Sequence, residues 1–202
     1  MTVEYNIFRT CVILAGGKSL RMGFDKQFLK INNTNLIDNV INKLKYEFDD
    51  IVIITNKPNF YSKYNIRVFE DEIAGKGPLS GIHKGLKEAQ SKYVYFTACD
   101  MPNINLNYIR YMKDIIKKEN VHACITKYGN WIEPMNAFYN ISILKNVEQY
   151  LINGNKAVYF LLKSLNCKYI EEAVAKKFSS NWNMFLNLNT KEDLKVYINE
   201  VK

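Results

Sequence analysis

Three glycines and three cations share the thirteen residues from Leu14 to Lys26: Gly16, Gly17 and Gly23 are interleaved with Lys18, Arg21 and Lys26. Glycine reaches backbone conformations that side chains forbid, so its N–H groups can close around an anion. Lysine and arginine at the same turn supply the charge that phosphate oxygens demand. The apolar run Cys11-Val12-Ile13-Leu14 just before reads as a buried strand. A strand that breaks into such a loop suits the handling of a polyphosphate. A second chemically loaded position is Asp100, which follows the apolar run Tyr93 to Ala98 and precedes Met101-Pro102. Packing explains a charge poorly there, because open parallel sheets bind ligands beyond the carboxyl ends of their strands.

Two familiar phosphate motifs do not account for the loop. A P-loop needs a glycine five positions before the Gly17-Lys18-Ser19 triplet, where this chain has Val12. The dinucleotide fingerprint needs G-x-G-x-x-G, and Gly16, Gly17 and Gly23 do not supply it. Gly75-Lys76-Gly77 fails the same test, with Ser80 at the third glycine position.

The elements that must position these residues alternate. Phe28 to Ile31 is a short strand-like run before a turn at Asn32-Asn33, and residues 36–48 carry apolar side chains at helical spacing with Thr34 or Asn35 as cap. Ile51 to Thr55 reads as a strand ending at Asn56, and Arg67 to Phe69 as another running into Glu70-Asp71. Pro78 suits the first turn of a helix reaching about Gln90. Within that turn, Gly81 would let the helix approach a phosphate closely near its positive end. Residues 105–118 read as a helix, Val121 to Thr126 and Trp131 to Tyr139 as strands, and 141–152 and 156–165 as helices. Thr190 caps a closing helix. The repeated β-then-α order predicts one α/β domain over 1–202, a doubly wound, mostly parallel sheet flanked by helices.

Bulk properties set the class of partner. A net charge of +8 favours an anionic ligand, but the basic residues are spread along the chain instead of gathered into a nucleic-acid-binding arm. Nothing approaches a bilayer-spanning run or a signal peptide, so the expectation is a cytoplasmic protein with no membrane contact. Cys11, Cys99, Cys124 and Cys167 form no CxxC pair, and only His83 and His122 are present, which disfavours a soft-metal site. Any metal is expected to be hard and carboxylate-held, with magnesium the obvious choice.

The loop from Leu14 to Lys26 resembles the nucleotidyltransferase signature LAGGxSxRMGxDK, most closely that of the molybdenum cofactor guanylyltransferases. Further segments resemble that family: Ile54-Thr55-Asn56, Phe69-Glu70-Asp71, Gly77 to Ile82, Cys99-Asp100-Met101-Pro102, Glu133-Pro134-Met135, and Leu186 to Leu194. The resemblance implies a Rossmann-like nucleotidyltransferase fold that transfers GMP from GTP to the terminal phosphate of molybdopterin, releasing pyrophosphate. It places GTP against Leu14, Ala15, Gly16 and Gly17, with Asn56 and Asp71 lining the nucleotide site. Lys26 and Arg21 become the cations on the triphosphate, and Asp100 the Mg²⁺ ligand. Asn187 and Asn189 match an NxN pair near the acceptor, and Gly81 joins them there. Transient contact with molybdoenzyme maturation proteins follows from the same resemblance, and no nucleic acid partner.

Other readings stand beside these. Asn56 also suits a turn that ends a strand, Asp71 a solvated loop carboxylate, and Asn187 and Asn189 a polar loop capping the last helix. At the level of the whole chain, a cytidylyltransferase or another nucleotidyltransferase with a different phosphorylated acceptor is the neighbouring reading. A non-catalytic nucleotide- or RNA-binding protein is the remote one.

Overall fold

The apolar strands expected from the sequence lie side by side in a computed structural model that describes residues 6–16, 30–31, 34–73 and 77–201. In chain order the elements are β1 (Thr10–Leu14), β2 (Lys30–Ile31), β3 (Thr34–Asn35), α1 (Leu36–Leu44), β4 (Asp50–Ile54), β5 (Arg67–Phe69), α2 (Pro78–Glu88), β6 (Tyr93–Ala98) and α3 (Leu106–Lys118). The remainder is β7 (Ala123–Tyr128), β8 (Trp131–Asn140), α4 (Leu144–Ile152), α5 (Val158–Lys163), β9 (Cys167–Ile170), α6 (Glu172–Ala175) and α7 (Lys191–Val201). β2 and β3 pair as a small antiparallel ribbon; the expected turn at Asn32-Asn33 lies outside the described residues.

The main sheet has the order β5-β4-β1-β6-β8-β7-β9. Its pairings are parallel except those of β8, which runs against both β6 and β7. The expectation of a mostly parallel, helix-flanked sheet is met. The central strands are continuously apolar because both faces are covered. On one face α2 lies so close that a Cβ on Gly85 would stand 2.6 Å from the Phe96 ring and 2.9 Å from Val12. On the other, Tyr95 stacks on Phe48 and packs against Phe138, while Lys113 of α3 reaches over Phe48.

Several boundaries move. The first helix stops at Leu44 instead of residue 48, and the strand expected at Val121 to Thr126 is found at Ala123–Tyr128. β9 and α6 have no counterpart in the sequence reading; β9 is half-buried and owes its strand form to parallel pairing with β7. The cap expected at Asn35 holds, and Asn105, read as the first helical residue, caps the third helix. The Asp38 carboxylate accepts from the Asn35 backbone N–H, and the Asn105 side chain accepts from Tyr108 N. Cys11, Cys99 and Cys124 are buried, as small apolar residues are.

The amino end of the sheet is locked by charge. Arg67 grips Asp50 with two N–H groups, at 3.0 and 2.7 Å, and donates a third bond to the Glu88 carbonyl. Thr10 Oγ1 donates to the same carboxylate at 2.7 Å. Asp50 is 8% exposed, so removing its partner strands a buried charge. Arg67→Met is expected to destabilise the fold by about 2–4 kcal/mol, read as a lower urea midpoint with an unchanged m-value.

Candidate active site

The site is built from the backbone that continues past the strands. At the carboxyl end, Thr55 N donates to Phe69 O (2.9 Å), Ala15 N to Ile54 O (2.8 Å) and Cys99 N to Leu14 O (3.0 Å). Leu188 N then donates to Asp100 O at 2.9 Å. These bonds stitch the ends of β5, β4, β1 and β6 and the segment before α7 into one row. They bring together Asp71, Asn56, Gly16, Asp100 and Asn187, which lie far apart in the chain.

Along that row, Ala15 is fully buried and anchors the exit of β1, whereas Gly16 is exposed, with nothing among the described residues within 4 Å of where a Cβ would stand. Open space at Gly16 leaves its backbone accessible to a ligand. Asn56 is exposed beyond β4. Asp71 is surface-exposed, yet burial around its carboxyl raises its pKa, and among the described residues it has no hydrogen-bond or ion-pair partner. Its neighbour Glu72 is otherwise committed. It accepts from Lys84 and Lys87 at 2.7 Å each, and they hold its carboxyl down at about 2.

Asp100 is partly exposed at the rim, and its carbonyl holds the segment that carries Asn187 and Asn189. That segment is pinned from below, since Leu188 is fully buried against Leu36 and Tyr197. Asn189 N and Thr190 N both donate to the Asp193 carboxylate, and the Asp193 backbone N–H donates in turn to Thr190 Oγ1. The capping reading therefore holds for the Asn189 backbone, while its side chain is exposed.

Gly81 reaches the same end of the sheet, where it also packs against β1. A Cβ there would lie 2.8 Å from Leu14 Cδ2, so the glycine lets α2 pack closely on β1 without moving that side chain. Gly77, with φ of +66°, is needed for the turn into α2. The loop residues Gly17, Lys18, Arg21 and Lys26 lie outside the described residues.

One buried residue escaped the sequence reading. Asn136 interrupts an apolar stretch of β8 with φ of +51° and is 3% exposed. It accepts from Tyr95 OH (3.1 Å) and Thr97 Oγ1 (2.7 Å) and donates to Met184 O (2.6 Å). It thus ties the end of β6 to the segment leading to Leu188. A lone asparagine in the run Ile132 to Tyr139 was the available signal.

A separate open depression of about 470 Å³ lies beside the start of α3, lined by Lys43, Asn103, Asn105, Arg110, Ser179 and Asn183 among others. None of the predicted site residues lines it. Its Asn105 is occupied in capping α3 and in holding Phe178 O, which is structural work. The row at the carboxyl ends is the better site.

A parallel sheet whose open end gathers an exposed glycine backbone, the Asp71 carboxylate and a rim aspartate is that of a nucleotide-transferring enzyme. The chain belongs to the MobA-like NTP transferase family, whose domain model matches residues 11–168. It is 49% identical over 196 residues to a probable molybdenum cofactor guanylyltransferase of Peptoclostridium acidaminophilum, covering 95% of this chain and 89% of that protein. It is 52% identical over 186 residues to the molybdenum cofactor guanylyltransferase of Syntrophotalea carbinolica, covering 92% and 89%. The crystal structure of molybdopterin-guanine dinucleotide biosynthesis protein A from Archaeoglobus fulgidus superposes with a TM-score of 0.83 at 25% identity, covering 95% of this chain and 97% of that one.

Among the described residues, no helix is long and apolar enough to cross a membrane. No group of three or more His, Cys, Asp or Glu residues there could hold a metal ion by itself. One rim carboxylate fits a hard cation that arrives with phosphate oxygens and retains waters.

Proposed function

We propose that this chain is a molybdenum cofactor guanylyltransferase, a single cytoplasmic domain that transfers GMP from GTP to the terminal phosphate of molybdopterin. The observation that supports the reading is the stitched row, in which the strand ends leading to Gly16, Asn56, Asp71 and Asp100 are joined and the Asn187 segment is bonded to the Asp100 backbone. Asp71 can accept from the N–H groups of guanine, and Asn56 can both donate and accept. Gly16 and Gly17 offer backbone N–H groups to the nucleotide.

The acceptor phosphate is already an oxyanion at neutral pH, so no general base is needed. Positioning and charge suffice for its attack on the α-phosphorus as pyrophosphate departs. Arg21 and Lys26 would offset the charge that grows on the α-phosphate and the leaving group. Asp100 would hold magnesium, which supplies charge neutralisation at the phosphate oxygens when bound. Asn187 and Asn189 would meet the acceptor phosphate, and maturation proteins would receive the product.

Pyrophosphate release with molybdopterin and magnesium tests the reading, with GTP and CTP offered separately. Release with GTP and little with CTP is expected. Exclusive use of CTP would overturn the guanylyl assignment, and use of neither would overturn the transferase reading.

A further inference from the structure

Glu133 leads the segment Glu133-Pro134-Met135 and has no part in the chemistry above. Because β8 runs against its neighbours, its first residues stand at the carboxyl end of the sheet, where the parallel strands finish. The last β6–β8 pair is Phe96↔Ala137; Asp100 lies four residues past Phe96 and Glu133 four residues before Ala137. Both therefore project past the paired part of adjacent strands, at the end that carries the site.

The face is also defined. Glu133 is opposite Thr126, whose hydroxyl meets the Tyr108 hydroxyl of α3. Opposed residues share a face, so Glu133 lies on the α3 side. On that side Asn136 holds Met184 O and the chain continues to Asn187. Among the described residues the Glu133 carboxyl makes no hydrogen bond or ion pair, although the residue is half-buried, and burial raises its pKa to about 7. A carboxylate held there without a partner is costly unless something arrives to use it.

Its place relative to Asp71 indicates what arrives. Asp71 follows β5 and Glu133 opens β8, four strand spacings away in the order β5-β4-β1-β6-β8, roughly 19 Å. Asp100 stands between them. A nucleotide with its base at Asp71 and its phosphates toward Asp100 leaves the Glu133 flank to the second substrate.

We infer that Glu133 receives the 2-amino-4-oxo pyrimidine edge of the pterin acceptor, its two carboxylate oxygens accepting from the ring N–H and the exocyclic amino group. The inference rests on the acceptor named under the proposed function. Guanine presents the same edge, so the test must separate the two substrates.

The variant is Glu133→Gln, which keeps the shape but replaces one of the paired acceptors by a donor. Steady-state kinetics are measured for each substrate, together with equilibrium binding of molybdopterin, followed by pterin fluorescence, without GTP. The KM for molybdopterin is expected to rise about 10–100-fold, with the KM for GTP within about twofold. The thermal midpoint at pH 8 should not fall, because the variant removes a half-buried ionisable group.

A rise in the GTP KM instead would assign Glu133 to guanine and overturn the inference. Unchanged constants would overturn it too, as would a fall in thermal midpoint with both constants raised, which marks a structural role. If the wild-type protein binds molybdopterin but makes no product, the proposed function fails while the binding arm still decides. Binding lost in Glu133→Gln then sustains the inference, and equal binding overturns it. A wild type that binds no molybdopterin overturns both.

Discussion

Asp100→Ala is expected to lower kcat by about 10²–10³, with pyrophosphate release as the readout and the thermal midpoint within about 2 °C of wild type. The two halves of that result have separate causes. The carboxylate is partly exposed at the rim, so its loss costs little packing. The contact that fixes the neighbouring segment is made by the Asp100 carbonyl to Leu188 N, which alanine retains. Asp100→Asn should recover little, because an amide oxygen is a weaker ligand for a hard cation. Activity close to wild type in either variant would remove Asp100 from the metal site.

Lys26→Ala is the second variant expected to show a large effect, about 10²–10³ in kcat. Lysine at this position would act on charge that develops as the α-phosphate is attacked, so kcat should fall more than the GTP KM rises. Lys18→Ala is the internal control: no role is proposed for that lysine of the same loop, and its loss should change kcat by less than about threefold. Equal losses in the two variants would mean that the loop contributes general positive charge and that Lys26 has no specific role. Added salt separates the cases further, because diffuse attraction is screened at high ionic strength while a fixed contact at short range is screened much less.

Much of the fold was legible because its central strands are apolar on both faces. Tyr93–Ala98 and Arg67–Phe69 were read with their exact limits, and Thr190 announced the helix it caps. β9 was not legible. Cys167-Lys168-Tyr169-Ile170 is short, half-buried and carries a lysine, and only its pairing with β7 makes it a strand. The direction of β8 was available but unread, in Gly129-Asn130 between two strand-like runs, a two-residue hairpin signal with Gly129 at φ of +54°. That reversal is what carries Glu133 to the site end.

Of the site itself, Asp100 and Asn187 could be marked from motif and strand-end position. Their connection could not, because it is made by backbone atoms of residues 88 positions apart, Leu188 N and Asp100 O. Gly81 also has a packing role that the sequence did not show. A glycine in the first turn of a helix looks the same in sequence whether it makes room for a phosphate or for Leu14.

The Asp50–Arg67 lock and the stitched row occupy opposite ends of the same strands. Tolerance to mutation should accordingly divide along the strand axis. Substitutions at the Arg67 end spend stability and leave specificity alone, whereas those at the Asp100 end alter substrate choice with little change in folding. An evolving lineage could therefore exchange one nucleotide or acceptor for another at the carboxyl edge, while the amino edge sets how many such exchanges the domain survives.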